Sequence, residues 1–301
     1  MGLDIHGINF LRYAAQRQRF GAVATLGRQE VQINNRKLAL FFQLKRSYGP
    51  YCERLLLDFF GATKVDSFDN SGYENATHVA DMNLPMPKDQ FPQYDTIIDG
   101  GTLEHIYNVP QALKNLSHLC REGGQIIHIS PANNECGHGF WQFSPELFYS
   151  LYSQGNGYSE TNVFMACKDN EHYWYEVKKP SNGERAYIQS LAPLFVLCRT
   201  HKMSSKFSHA NVQQSDYAYV WKANKEVAEK EPQPKANKPI QGPPEGQIFH
   251  YVKESLSHLR GLRSPLILAI LRSVNSIFLS KTSVSERHPY LTKRSVAELV
   301  K

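Results

Sequence analysis

The sequence predicts a doubly wound α/β fold, because residues 93–131 have the pattern of a complete strand–helix–strand unit. Residues 94–98 and 125–129 are short, apolar and β-branched, as in strands buried on both faces of a parallel sheet. Between them, Leu113 and Leu116 recur at helical spacing. A right-handed crossover then places the loops after both strands at one edge of the sheet, where open α/β sheets bind ligands.

The length, composition and charge of the chain indicate which class of protein to expect. The chain has 301 residues, 41% of them hydrophobic, and no apolar run long enough to cross a bilayer, so one sizeable soluble domain with an appendage is expected. Residues 1–20 carry charges throughout and lack the apolar core of a signal peptide. Five scattered cysteines without CxxC spacing indicate a reducing cytoplasm rather than a disulfide framework. The net charge of +6 is modest and much of it is C-terminal, so no nucleic-acid partner is expected.

Before the central unit, the pattern predicts an amphipathic helix, a strand, two helical stretches and two further strands. These lie at residues 5–20, 21–26, 34–60, 64–68 and 77–80. Gly27 opens the loop after the first strand, and the turn sequence DNSG at 69–72 follows the second.

After the central unit, Ser144 and Pro145 begin a helix. Residues 161–167 and 191–200 are β-rich and predict the antiparallel last pair of the sheet, with a local strand at 171–177 between them.

Three segments are predicted along the chain. Residues 1–221 form the main domain, 222–247 a charged, proline-rich, disordered linker, and 248–301 a helical basic tail. No core strand is expected after Trp221. Within the tail, residues 264–280 gather apolar side chains on one helical face. This helix packs on the domain, docks on a partner protein or lies on an acidic membrane surface, with packing slightly favoured.

A family resemblance is carried by YDTIIDGGTLEHI at 94–106 and REGGQIIHISP at 121–131. The first resembles the fourth strand and following loop of class I S-adenosylmethionine-dependent methyltransferases, particularly the type-11 group, and the second resembles their fifth strand. The resemblance implies a Rossmann-like seven-stranded sheet, mostly parallel with an antiparallel last strand. It also implies S-adenosylmethionine as cofactor and a small-molecule or glycan-precursor acceptor.

The resemblance implies these cofactor-binding residues: Gly27, Arg28, Asp69, Asp81, Met82, Asp99 and Gly100. Asp69 ends the second strand, where a carboxylate accepts hydrogen bonds from both ribose hydroxyls. Asp81 and Met82 match the pair that contacts adenine. Both aspartates also suit polar turns, which is the alternative interpretation.

One departure from the family pattern is the loop after the first strand. The family has a Gly-x-Gly-x-Gly cluster here, whereas this chain has LGRQEV at 26–31, in which only Gly27 matches. Arg28 and Gln29 would project bulk where glycine admits the cofactor.

The candidate catalytic residues are Glu104, His105 and His138, which follow the fourth and fifth strands and face the cofactor edge. An imidazole can remove a proton from a hydroxyl or amine near neutral pH, so His138 is a candidate base and His105 a second one. The alternatives are a helix cap for Glu104 and His105 and a packed aromatic lid around His138. Together with Asn133, Trp141 and Gln142, His138 would hold the acceptor. Cys136 and His138 lack further ligands at matching spacing, so no metal site is predicted.

The sequence therefore predicts a methyltransferase, with two alternatives. The first is a non-catalytic binding or scaffold protein that keeps the fold after losing its cofactor loop. The second is a nicotinamide-dependent dehydrogenase. It is the weaker alternative, because the first loop also lacks the glycine fingerprint of that class of enzyme.

Overall fold

The computed structural model describes residues 2–44, 48–87, 89, 93–228 and 290–300. Its strands are β1 (Gly2–Leu3), β2 (Gly21–Leu26), β3 (Glu30–Val31), β4 (Ala62–Asp69), β5 (His78–Val79), β6 (Tyr94–Gly100), β7 (Cys120–Asn133), β8 (Tyr158–Cys167), β9 (Tyr173–Val177), β10 (Leu194–Lys202) and β11 (Leu291–Ser295). Its α-helices are α1 (Ile5–Ala15), α2 (Asn35–Phe42), α3 (Glu53–Phe59), α4 (Val109–Leu119), α5 (Pro145–Leu151), α6 (Ser215–Ala228) and α7 (Val296–Leu299). Short 3-10 helices cover Leu103–His105, Gln154–Asn156 and His209–Asn211.

Nine strands form one mixed sheet in the order β11-β9-β8-β10-β7-β6-β2-β4-β5. From β7 to β5 all pairings are parallel. β10 runs antiparallel between β7 and β8, and β9 and β11 continue the antiparallel part. The predicted α/β fold with a parallel centre is confirmed. The predicted seven strands and mostly parallel pairing are wrong, because β9 and β11 extend the antiparallel side.

The central strand–helix–strand unit forms as predicted, but its helix ends earlier. α4 stops at Leu119, and β7 begins at Cys120 rather than after the glycine pair. The buried Lys202 ammonium donates to the carbonyl oxygens of Ser117 and Cys120, at 2.7 and 2.8 Å. A cation therefore satisfies the end of the helix before the glycines are reached.

Helices cover both faces of the sheet. On one face, α1 packs Phe10 against Trp174 of β9, with ring centroids 5.6 Å apart, and the Trp174 indole N–H donates to His6 Nδ1 at 3.1 Å. On the other face, α4 and α5 contribute to a second buried apolar cluster. None of the helices in the described chain is long and apolar enough to cross a membrane.

The end of the chain packs onto the domain. β11 pairs with β9, and α7 buries Val296 and Val300 in the same apolar cluster as α1. The prediction that no core strand follows Trp221 is therefore wrong for residues 291–295. In addition, α6 continues to Ala228, so the first residues of the predicted linker are helical. The apolar helix predicted at 264–280 lies outside the described residues.

Replacing Val296 with alanine should destabilise the whole domain. The substitution removes two buried methyl groups and leaves a cavity, so we expect a loss of about 2 kcal/mol in the free energy of unfolding, measured by urea denaturation. The matched control is Glu298→Ala on the exposed side of the same helix. Equal stability of the two variants would show that α7 does not belong to the core.

Candidate functional site

Four loops meet where the parallel strands β2, β4, β6 and β7 end, as the topology requires. We call this region the carboxyl edge. It consists of residues 27–29, 69–77, 100–108 and 134–143. Most of the predicted site residues fall within these four segments. Asp99 and Asn133 lie at the ends of the strands β6 and β7 beside them, and Asp81 and Met82 follow β5.

The Gln29 side chain fills the space above Gly100. Gln29 is fully buried, and its amide nitrogen donates to the Leu26 carbonyl at 2.6 Å and to Thr102 Oγ1 at 3.2 Å. A Cβ atom added at Gly100 would lie 2.4 Å from Gln29 Oε1 and 3.0 Å from a methyl carbon of Leu3. Gly100, which is predicted to bind the cofactor, therefore permits close packing of protein side chains in this structure.

The N-terminal strand helps to close the same space. β1 pairs in parallel with β3, which directly follows Gln29, to form a separate two-stranded sheet. Leu3 of β1 is fully buried. The sequence pattern did not reveal this pairing, because two-residue strands carry no periodic signal.

Arg28 points away from Gly100. Its guanidinium group donates to the Glu53 carboxylate at 2.6 Å and to the Glu74 carbonyl at 2.7 Å, and it stacks on the Tyr51 ring at 3.9 Å. An open cleft of about 380 Å³ lies on this side of the loop, between Arg28, Tyr51 and Asn75. Gly27 lies at the base of the loop, where its N–H donates to the Phe68 carbonyl at 2.7 Å.

Asp69 and Asp81 each accept hydrogen bonds within their own turn. Asp69 Oδ1 accepts from the Ser71 N–H at 3.1 Å, and Asp81 Oδ1 accepts from the N–H and side-chain amide of Asn83 at 2.9 and 2.8 Å. The alternative interpretation as turn residues thus describes their contacts here. Both side chains nevertheless remain partly or fully open to solvent.

Two of the residues predicted to bind the cofactor, Met82 and Asp99, are buried. Met82 belongs to the apolar core, and its sulfur lies 3.8 Å from the Asn115 amide nitrogen. Asp99 is fully buried, and its Oδ2 accepts from His128 Nδ1 at 2.9 Å and from Ser130 Oγ at 3.3 Å. Neither side chain faces the open part of the carboxyl edge.

Glu104, His105 and His138 come together as one cluster. Glu104 Oε1 lies 3.5 Å from His138 Nε2 and 4.0 Å from His105 Nε2, and the two histidine rings are 5.1 Å apart. The Glu104 side chain is 1% exposed, whereas both histidines are exposed. These are the three residues predicted to be catalytic, and the structure places them in mutual reach.

Glu104 carries the strongest perturbation in the cluster. Burial, reinforced by the negative charge of Asp99, raises the pKa of its carboxyl group from 4.5 to about 8. Its Oε2 has no hydrogen-bond partner among the described residues. The pKa of His105 is lowered, first by burial and then by the nearby His138.

The loop that carries His138 is attached to Glu104 through the backbone. The Glu104 carbonyl accepts from the N–H groups of Phe140 and Trp141, at 2.8 and 3.3 Å. A Cβ atom at Gly139 would lie 2.7 Å from that carbonyl oxygen, and Gly139 has a φ of +82°. Only glycine fits such a close approach in the left-handed region, so the sequence GHGF positions His138 beside Glu104.

Exposed aromatic side chains border the cluster. Tyr107, Phe140 and Trp141 are all solvent-accessible, and the Tyr107 ring centroid lies 6.2 Å from Phe140 and 6.4 Å from Trp141. The Trp141 indole N–H donates to the Ile106 carbonyl at 3.0 Å. Gln142, another residue predicted to hold the acceptor, accepts a hydrogen bond at its Oε1 from the Glu135 N–H at 3.0 Å.

No family model and no curated protein matches this sequence. Among solved structures, TehB from Haemophilus influenzae aligns at 16% identity and a TM-score of 0.37. The alignment covers 64% of this chain and 61% of TehB, so this chain spans less than two thirds of the length of TehB. The N-methyltransferase NodS from Bradyrhizobium japonicum, in complex with S-adenosyl-L-homocysteine, aligns at 11% identity and a TM-score of 0.38. The alignment covers 65% of this chain and 85% of NodS. The O-methyltransferase of a trans-AT PKS multienzyme from Brevibacillus brevis, also in complex with S-adenosyl-L-homocysteine, aligns at 10% identity and a TM-score of 0.37. The alignment covers 77% of this chain and 86% of that protein.

The chain is thus structurally similar to several methyltransferases at low sequence identity.

The buried Glu104 should make stability depend on pH. Its pKa is about 8 in the folded state and near 4.5 in the unfolded state, so the unfolded chain loses this proton first as pH rises. The free energy of unfolding should therefore fall between pH 4.5 and 8, by about 4 kcal/mol from this group. Glu104→Gln should remove that fall.

Urea denaturation at pH 5, 6.5 and 8, in the presence of a chelator, measures this effect. Glu30→Gln on the exposed strand β3 serves as the control and should keep the wild-type pH profile. A Glu104→Gln profile parallel to wild type would contradict the assigned burial of an unpaired carboxylate.

Proposed function

We propose that this protein transfers a methyl group from S-adenosylmethionine to a small-molecule or glycan-precursor acceptor at the carboxyl edge. The observation that best supports this function is the cluster around Glu104, where a buried carboxylate with an unpartnered oxygen lies beside His105 and His138. Burying such a group costs stability, and costs of this kind are characteristic of functional sites. A carboxyl edge with only a structural role would gain no stability from burying this carboxylate.

The chemistry of the edge is compatible with a cationic cofactor. Gln29 Oε1 and Glu104 Oε2 are buried acceptors without a donor among the described residues. When bound, S-adenosylmethionine supplies an ammonium donor and a methyl group that a positive sulfur makes electrophilic. Asp69 would accept from the ribose hydroxyls, as the resemblance implies, and Gly27 would let the backbone approach. Room for the cofactor above Gly100 requires rotation of the Gln29 side chain.

Acceptor binding is assigned to the exposed aromatic residues beside the cluster. Phe140 and Trp141 offer apolar faces, and the same loop carries His138. Glu104 or His138 would receive the proton of an acceptor hydroxyl or amine as it attacks the methyl group. The protein would otherwise contribute by holding the two reactants in line.

Gln29 favours a second candidate function, that of a non-catalytic binding or scaffold protein with a methyltransferase-like fold. Its side chain fills the space over Gly100 and is held by hydrogen bonds to Leu26 and Thr102. In this case the edge has lost its cofactor site, and the chain uses the fold only to present surfaces.

Calorimetry with S-adenosylhomocysteine separates the two candidates. For methyl transfer, we expect wild type to bind and Gln29→Ala to bind at least about 10-fold more tightly, because the alanine side chain leaves the space above Gly100 open. Gln18→Ala, at the opposite end of the sheet, should leave the affinity unchanged. If neither wild type nor Gln29→Ala binds, methyl transfer is refuted and the scaffold function is retained.

A second substitution tests the orientation of the cofactor. In the Gln29→Ala background, Asp69→Asn should weaken S-adenosylhomocysteine binding by about 10-fold, because a charged acceptor for the ribose hydroxyls is lost. The same change at Asp58, on the exposed end of α3, should have no effect. Equal affinities for the two variants would place the ribose elsewhere on the edge.

A further inference from the structure

We propose that Glu104, His105 and His138 bind one divalent transition-metal ion at the carboxyl edge. One ligand atom from each residue can be chosen so that all three lie within 4.8 Å of one another, and no other such group of three occurs in the described part of the chain. The sequence did not predict this site, because 32 residues lie between His105 and His138 and no known ligand spacing links the two segments. Metal binding is independent of whether the protein transfers methyl groups.

The distances require only a small adjustment. Bonds of about 2.0–2.1 Å in a tetrahedral site set neighbouring ligand atoms about 3.3 Å apart. Glu104 Oε1 is already 3.5 Å from His138 Nε2 and 4.0 Å from His105 Nε2. Both histidines have about half of their side chain exposed, at 53% and 40%, so their rings have room to close on an ion.

The buried carboxylate is an independent indication of a ligand. Glu104 is 1% exposed, and its Oε2 has no hydrogen-bond partner among the described residues. Buried charges in proteins are paired or coordinate metals, because an isolated carboxylate is costly to remove from water. Asp99, also fully buried, adds a second negative charge close by, which further favours a cation.

The surrounding backbone holds the ligands in place. Glu104 and His105 lie in the 3-10 helix Leu103–His105, whose first N–H groups donate to Asp99 Oδ1 at 3.1 Å. The Glu104 carbonyl in turn anchors the loop of His138 through the Phe140 N–H at 2.8 Å. The carboxylate ligand thus comes from the same residue that fixes the position of the third ligand, which is the kind of support that metal sites need.

The ligand set indicates the class of metal. Two imidazoles and one carboxylate suit zinc and iron(II) rather than calcium or magnesium, which prefer oxygen ligands. Three protein ligands leave positions on the exposed side for water or a substrate oxygen. If the proposed methyl transfer holds, a metal here would bind the acceptor hydroxyl and ease loss of its proton.

The test is a zinc titration of the full chain against a chromophoric chelator at neutral pH. We expect wild type to bind one equivalent, and Glu104→Gln, His105→Ala and His138→Ala each to weaken binding by at least about 100-fold. The chain has 12 histidines, so His172→Ala, an exposed histidine outside the cluster, controls for adventitious binding and should match wild type. Circular dichroism of each variant confirms that it remains folded.

The outcomes are distinct from those of the methyl-transfer experiment. Zinc binding that is lost in the three cluster variants and kept in His172→Ala supports the site, whether or not S-adenosylhomocysteine binds. Wild-type affinity in folded His138→Ala and His105→Ala proteins, or no zinc binding by wild type, overturns it. Glu104→Gln keeps the shape of the side chain, so a loss in that variant reports on the charge rather than on packing.

Discussion

The buried carboxylate of Asp99 is the contact on which the carboxyl edge depends. One oxygen accepts from the N–H groups of Thr102 and Leu103, which shapes the turn after β6, and the other accepts from His128 and Ser130 of β7. The two central strands and the turn are thereby fixed relative to one another. Because the same charge lies close to Glu104, the group that builds the turn also sets the electrostatics of the cluster it presents.

The sequence was sufficient to predict the centre of the fold and to predict that three candidate residues lie at one edge of the sheet. Parallel strands buried on both faces are short apolar runs, so the central strands β6 and β7 were recognisable. Because parallel strands end at one edge, the residues following β6 and β7 could be assigned to the same region. Glu104, His105 and His138 were found in this way.

The sequence could not supply contacts between distant short elements. β1 and β3 have two residues each, and β11 pairs with β9 across more than 100 positions, so no local pattern reveals them. The sequence also did not reveal which side chains at the ends of the strands are buried. Asp99 and Asp69 both end a central strand in the sequence, yet one is enclosed by hydrogen bonds from β7 and the other remains near solvent. Which of two similar residues faces the solvent depends on the neighbouring loops rather than on its own position.

Residues 290–300 contact two distant parts of the domain. α6 belongs to the described body on one side, and on the other the Val300 carbonyl accepts a hydrogen bond from Arg12 of α1 at 3.3 Å. Residues 290–300 are therefore part of the folded body and not a surface appendage. Their removal would expose the backbone edge of β9 to the solvent, and an unpaired strand edge of this kind invites pairing between chains.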